Sequence, residues 1–110
     1  MKQRDVAIIG GGFAGLMAAI VCAKNGKKAS VFLYGSGSFP LNSGLIDLLG
    51  YDEARTWVKD PLAAIEQLPA EHPYHRIGKE SIEEAAGFFL KLMEEEGFPY
   101  CGSLHEQQSA

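Results

Sequence analysis

An α/β fold, opening with a parallel strand–helix–strand unit and continuing into helical segments, is what this 110-residue sequence predicts. Three observations carry that reading. Asp5 to Ile9 (DVAII) is a short β-branched run that stops at glycine, Phe13 to Asn25 has the apolar spacing of a helix, and Ala29 to Tyr34 (ASVFLY) returns to β-branched and aromatic residues. Strands that alternate with a helix in this way pair in parallel, because the chain must cross over before it can run beside itself again.

The first run has no polar alternation, so it reads as a strand buried on both faces. In the helix, Leu16, Ala19, Ile20 and Ala23 fall at the i, i+3, i+4, i+7 spacing of one face, and Gly26 supplies the stop. Gly35 to Ser43 (GSGSFPLNS) reads as a polar, glycine-rich loop, and Gly44 to Leu49 as a short helix or turn. Asp60 is positioned to cap a short helix that has Pro61 as its first residue and ends before Pro69. A longer helix is expected from Ser81, with Glu84 completing a capping box and Gly97 terminating it. Its inward face would hold Ile82, Ala85, Ala86, Phe89 and Leu92 or Met93. The tail from Glu106 to Ala110 shows no period and is expected to fray.

Composition narrows the class of function. With 46% hydrophobic and 22% charged residues the chain is an ordinary globular one, and its net charge of -4 argues against a general nucleic-acid binder. Residues 1–50 have five basic and two acidic side chains, a balance of +3, whereas residues 51–110 have five basic and twelve acidic, a balance of -7. The first half therefore tolerates a small anion better than the second. No apolar run approaches the roughly 20 residues of a membrane-spanning helix, and no signal-peptide pattern follows Met1, which points to the cytoplasm. Cys22 and Cys101 are too far apart for a redox pair or a ligand set, so both read as free thiols. His72 and His75 flank Pro73 and Tyr74 in what reads as a loop. No further ligands stand at a metal-binding spacing, so turn or packing roles are expected for them, as for Tyr51 and Trp57.

The chemistry-bearing feature is Gly10, Gly12 and Gly15, a GxGxxG spacing set between strand and helix. Such a turn binds a dinucleotide for separate physical reasons. The first glycine permits the tight turn, the second lets backbone approach a pyrophosphate, and the third lets the helix pack closely on the strand. Amides near Phe13 and Ala14 then face the anion at the helix start. One customary element is missing. Where the second strand of such a unit ends, an acidic residue usually bonds the adenosine ribose, but here Leu33, Tyr34 and Gly35 stand, with no basic residue in its place.

DVAIIGGGFAGLMAA resembles the opening of FAD-type flavoproteins. The stretch GKKASVFLYGSGSFPLNSGLIDLLG, followed by DPLAAIEQLPAEHPY, resembles the B subunit of the anaerobic glycerol-3-phosphate dehydrogenases, on Asn42, Ser43, Gly44, Asp47, Leu48 and Leu49 and on His72, Pro73 and Tyr74. That family also tends to lack the acid after the second strand. The resemblance implies a flavin subunit, with FMN as the family's cofactor and FAD the alternative. It further implies a complex that oxidises sn-glycerol 3-phosphate to dihydroxyacetone phosphate and passes electrons through an iron-sulfur subunit to membrane quinone.

On this reading residues 1–50 form a Rossmann-like flavin-binding unit with its flavin loop, and residues 51–110 form part of a helical region of a longer protein. Cofactor contact is expected from Gly10, Gly12, Phe13, Ala14 and Gly15, and from Asn42, Ser43 and Gly44 in the loop, where small residues can come close to a ligand. Asp47 is expected to bond local backbone rather than act as a base. No metal site and no catalytic residue are assigned, since the substrate-binding groups are expected beyond Ala110 and the 110 residues by themselves are expected to be inactive. Membrane association would come only through partner subunits. Two other readings remain open at this point: another oxidoreductase using FAD or NAD(P), and a non-catalytic nucleotide-binding or electron-relay subunit.

Overall fold

The computed structural model describes residues 3–106 except Ser38, and the tail expected to fray from Glu106 lies outside them apart from Glu106 itself. The chain is α/β and divides into two compact units, residues 1–45 and 46–110.

In the first unit, β1 (Val6–Ile9) and β2 (Ala29–Phe32) form a two-stranded parallel sheet, and α1 (Phe13–Lys24) crosses between them. The register pairs Val6 with Ala29 and Ile9 with Phe32. Both ends of the ladder are fastened. At the entry, the Asp5 carboxylate accepts from the Lys28 amide at 2.9 Å while the Asp5 and Val6 amides both donate to the Lys28 carbonyl. At the exit, the Gly10 amide donates to the Phe32 carbonyl at 2.9 Å, carrying the ladder one residue past β1. This is the Rossmann-like start that the alternation of runs implies.

Among the described residues β1 is covered on one face only, where burial on both is expected. Ile8 is 9% exposed but its neighbour Ile9 is 91% exposed. The strand has a helix on one side, and within this unit nothing covers the other, so the alternation of side chains places every second one in solvent. A related correction concerns α1. Its partly buried residues include Gly15, Met17, Ala19, Ile20 and Cys22, while Leu16 and Ala23 are exposed. Lys24 is the only charged residue of the helix, so spacing has no polar side against which to define an inner face. The end of α1 follows expectation: Gly26 at φ +71° lets its own amide reach Ala23 and the Lys27 amide reach Cys22, closing the last turn. β2 stops at Phe32, which leaves Leu33 and Tyr34 outside the strand, and the following loop contains one 3-10 turn, Phe39–Leu41.

The second unit is built around Leu49, Val58, Leu62, Ile65 and Leu68, with Leu48, Ala64, Tyr74, Ile82 and Leu104 packed against them. Leu62 and Ile65 are the most deeply buried, at 1% and 2% exposure. Both lie in the short helical stretch formed by α2 (Pro61–Ala64) and the 3-10 turn Ile65–Gln67. Asp60 caps this stretch as expected, its carboxylate accepting from the Ala63 amide at 3.0 Å. That bond is the main reason Asp60 titrates below the ordinary carboxylate range. Partial burial acts in the opposite direction, and the His105 ring at 3.2 Å and the Lys79 ammonium reinforce the lowering. His105 belongs to a segment that is anchored as well by the Leu62 amide, which donates to the Leu104 carbonyl at 2.9 Å.

Three sequence expectations fail in this unit or at its edge. Gly44 to Leu49 forms no helix. Gly44 sits at φ +82°, outside the helical region, and Leu48 and Leu49 satisfy their apolar side chains by packing into the core from irregular backbone. The stretch around His72 is not a loop but the start of α3 (Pro73–Ile77), with Pro73 at its first position and the His72 Nδ1 accepting from the Tyr74 amide at 3.1 Å. Finally, α4 (Lys79–Glu95) begins two residues before Ser81, so the expected capping box does not form. Gly78 at φ +91° ends α3 with its amide, which donates to Tyr74, and starts α4 with its carbonyl, which accepts from Ile82. Gly97 terminates α4 as expected, and the Phe98 amide reaches back to Met93 at 2.9 Å.

Tyr51 and Trp57 pair across a small antiparallel bridge with their rings edge to face at 5.4 Å. Both remain largely exposed, so the packing role read for them is a local one. None of the described helices is long and apolar enough to cross a membrane.

Candidate functional site

The glycine turn lies between the end of β1 and the first residue of α1, and each glycine meets a different constraint. Gly10 takes φ +106°, a conformation that side-chain-bearing residues rarely adopt, and this bends the chain off the strand. Gly12 caps α1 from extended backbone, φ -76° and ψ -170°, which any residue can occupy. Gly15 is held by packing. A Cβ there would press into the Gly10 carbonyl oxygen and come within 3.1 Å of the Gly10 carbonyl carbon and 3.4 Å of Ile8 Cγ2. The helix can therefore approach the strand this closely only without a side chain at position 15.

Phe13, Ala14 and Gly15 form the first turn of α1, and the Leu16 amide makes the first bond of the helix proper, to the Gly12 carbonyl at 3.0 Å. The amides at the start of a helix point along its axis toward whatever lies before it, and the helix dipole favours negative charge there. No acidic side chain stands in that turn. Beside Gly10 to Gly12, the residues that lead into α1, is a cavity of about 470 Å³ lined by residues 9–12, 32–35 and Gly37. Its described lining contains no charged side chain, so an anion entering it would meet backbone amides and no opposing carboxylate. A pyrophosphate fits this chemistry, and a metal ion does not. Among the described residues no group of three or more His, Cys, Asp or Glu side chains is placed to hold a metal.

Of the residues singled out from sequence, Gly10, Gly12, Phe13, Ala14 and Gly15 are brought together at this turn. Of these five only Gly10 and Gly12 line the cavity, and Asn42, Ser43 and Gly44 do not line it either. They are exposed, and the two side chains accept from nearby backbone: Asn42 Oδ1 from the Gly44 amide at 2.7 Å and Ser43 Oγ from the Leu45 amide at 3.3 Å. These are local turns of a familiar kind for Asn and Ser.

Sequence reading assigned no contact at the glycine turn to Gly11, Leu33 or Gly37. Leu33 Cδ2 occupies the position that a Cβ on Gly11 would need, so the middle glycine of the GGG run receives the side chain that follows β2. Gly37 returns to the same place, its would-be Cβ lying 3.5 Å from the Gly11 carbonyl oxygen. The signal for Gly11 was the unbroken run of three glycines. Leu33 was noted only for standing where an acid is customary, and its contact with Gly11 was not legible because the partner lies on another element.

Leu48, Leu49 and Tyr74 of the two motifs pack in the core of the second unit, and Asp47 is exposed. The Tyr74 hydroxyl donates to the Leu48 carbonyl at 3.4 Å, joining the HPY segment to the end of SGLIDLL, and His72 tilts against the Tyr74 ring at 5.2 Å. The second cavity, about 510 Å³ beside Trp57 and Asp60, shares no residue with the glycine turn.

Comparison with known proteins agrees with this geometry. The family model for the FAD binding domain matches residues 5–109. Among curated relatives, the B subunit of a probable anaerobic glycerol-3-phosphate dehydrogenase from Halobacterium salinarum is 36% identical over 88 residues, which is 79% of this chain and 21% of that protein. The B subunit of the anaerobic glycerol-3-phosphate dehydrogenase of Vibrio cholerae is 34% identical over 102 residues, 90% of this chain and 23% of that protein. That of Vibrio vulnificus is 32% identical over 98% of this chain and 24% of its own length. The chain thus spans between a fifth and a quarter of the curated relatives it matches. No solved structure matches it. A strand, a glycine turn that excludes any side chain at position 15, and a match along almost the whole chain lead to one conclusion: the chain belongs to the FAD binding domain family.

Proposed function

We propose that the chain supplies the nucleotide-binding part of a flavin subunit in a complex that oxidises sn-glycerol 3-phosphate to dihydroxyacetone phosphate. Gly10, Gly12, Phe13, Ala14 and Gly15 would take the pyrophosphate of FAD, and Asn42, Ser43 and Gly44 would approach the flavin from the loop. The observation that carries the reading is the contact between α1 and the Gly10 carbonyl, which brings the helix start to the mouth of an uncharged cavity. FAD is preferred to FMN because the matching family is that of the FAD binding domain, whereas FMN rests only on the resemblance to the glycerol-3-phosphate dehydrogenase family. Flavin, when bound, would supply the two-electron acceptor for oxidation of a secondary alcohol. The groups that bind substrate and remove its proton would come from the remainder of a longer chain, and electrons would leave through an iron-sulfur subunit toward quinone. Membrane association would arise through such partners.

Gly12 offers the cleanest test, because its backbone tolerates any residue. In the full-length protein the added Cβ of Gly12→Ala should hold the pyrophosphate off the backbone amides and weaken FAD binding at least about 10-fold, as the loss of one hydrogen bond to a charged group would, with circular dichroism checking the fold. Mass spectrometry of the cofactor released on denaturation identifies it as FAD or FMN. A full-length protein that purifies without flavin, and takes up neither form when supplied, would end this reading.

A further inference from the structure

The residues that follow the second strand of a dinucleotide-binding unit ordinarily meet the adenosine half of the ligand. Here that segment has a definite structure and carries neither acid nor base. The backbone leaves β2 after Phe32, and the Leu33 side chain is laid on the glycine turn in the space a Cβ on Gly11 would take. Tyr34 comes next, at the rim of the same cavity, its ring exposed to solvent over its whole surface. Gly35 and Gly37, at φ +81° and +68°, then bring the chain back until Gly37 lies against the Gly11 carbonyl, and neither has a side chain to offer a ligand.

Among the described residues that line this cavity, the only polar side-chain atom is the Tyr34 hydroxyl. A ribose 2′-hydroxyl placed here meets no carboxylate. A purine meets an apolar floor and an unburied aromatic ring, the combination that holds bases by stacking without reading their sugar. We propose that Leu33 and Tyr34 seat the adenosine half of FAD, Leu33 by apolar contact and Tyr34 by stacking, and that no described side chain lining this cavity reads the ribose 2′-hydroxyl. This rests on the flavin-binding function proposed above and adds the residues that select the dinucleotide over the mononucleotide. The seat contributes to FAD and not to FMN, which lacks the adenosine.

The test titrates the deflavinated full-length protein with three ligands, FAD, its 2′-deoxyadenosine analogue and FMN, following flavin fluorescence. The analogue should bind within about 3-fold of FAD, because no side-chain hydrogen bond is lost. Tyr34→Ala should weaken FAD by roughly 5-fold or more, the loss expected from removing one base–aromatic stack, and leave FMN unchanged. Tyr34→Phe should bind FAD like the unaltered protein, since the ring and not the hydroxyl acts. Circular dichroism checks that both variants fold. The inference falls if the analogue binds about 10-fold or more weakly than FAD, the mark of a ribose that is read. It also falls if Tyr34→Ala changes nothing, or weakens FAD and FMN alike. If the protein takes FMN but not FAD, the adenosine seat is refuted and the flavin reading stands; if it takes no flavin, both fail.

Discussion

Adding one methyl group at Gly15 and the same group at Gly87 should move stability in opposite directions. Both glycines lie inside α-helices, Gly15 in α1 and Gly87 in α4. In a solvated helix, alanine is favoured over glycine by about 0.8–1 kcal/mol, because glycine loses more backbone freedom on folding. At Gly87 nothing lies within 4 Å of the added Cβ, so Gly87→Ala should gain about 0.5–1 kcal/mol. At Gly15 the same methyl group meets the Gly10 carbonyl, a backbone group fixed by the turn, as well as Ile8 Cγ2 at 3.4 Å. Relief requires the helix to withdraw from the strand, an overpacking cost of about 1–3 kcal/mol. Set against the propensity gain, Gly15→Ala should destabilise by about 0–2 kcal/mol, and the two variants should differ by about 1–3 kcal/mol. Urea denaturation of the full-length protein measures both, and flavin affinity, which should fall for Gly15→Ala only, gives a second reading. If Gly15→Ala is as stabilising as Gly87→Ala and keeps its flavin, close packing of helix on strand is not what fixes glycine there.

Three further outcomes follow from the second unit. Leu62→Ala removes the most deeply buried side chain of a small core and should cost about 2–5 kcal/mol, seen as a lower urea midpoint. Tyr74→Phe deletes the hydroxyl that donates to Leu48 over a long 3.4 Å, so the loss should sit near the lower end of about 0.5–1.5 kcal/mol. Asp60 titrates lower in the folded chain than in the unfolded one, so the unfolded chain takes up its proton first as the solution is acidified. Its stabilisation is complete above the ordinary carboxylate range and is lost as pH falls through the lowered value. Unfolding midpoints measured from pH 6 down to about pH 2 should therefore drop more steeply for the native sequence than for Asp60→Asn, which keeps a cap but has no charge to lose. Parallel slopes would contradict the assignment.

Where one residue type satisfies a local rule, the sequence announced the structure. Glycine at a positive φ, proline after a capping aspartate, and glycine past the last helical turn all act within four or five residues, and Gly10, Asp60 with Pro61, and Gly97 stand where those rules put them. The glycine turn was legible for the same reason. Legibility failed where the partner was distant or the pattern ambiguous. An all-apolar α1 gave no polar face by which to orient it. Five residues of α3 are too few to show a period, and its cap is a histidine nitrogen rather than the usual Ser, Thr, Asp or Asn. Ser81 and Glu84 had the spacing of a capping box, but a glycine joint upstream had already started the helix. The links from His105 to Asp60 and from Leu104 to Leu62 span more than forty residues, beyond the reach of any motif.

The glycine joint at position 78 ties the fate of two helices to one residue. Because its amide closes α3 and its carbonyl opens α4, neither end can fray without loosening the other. A residue inserted on either side would separate these two duties. Lengthening the connection would then free the Tyr74 segment, with its hold on Leu48, to come away from the core while the long helix stayed intact.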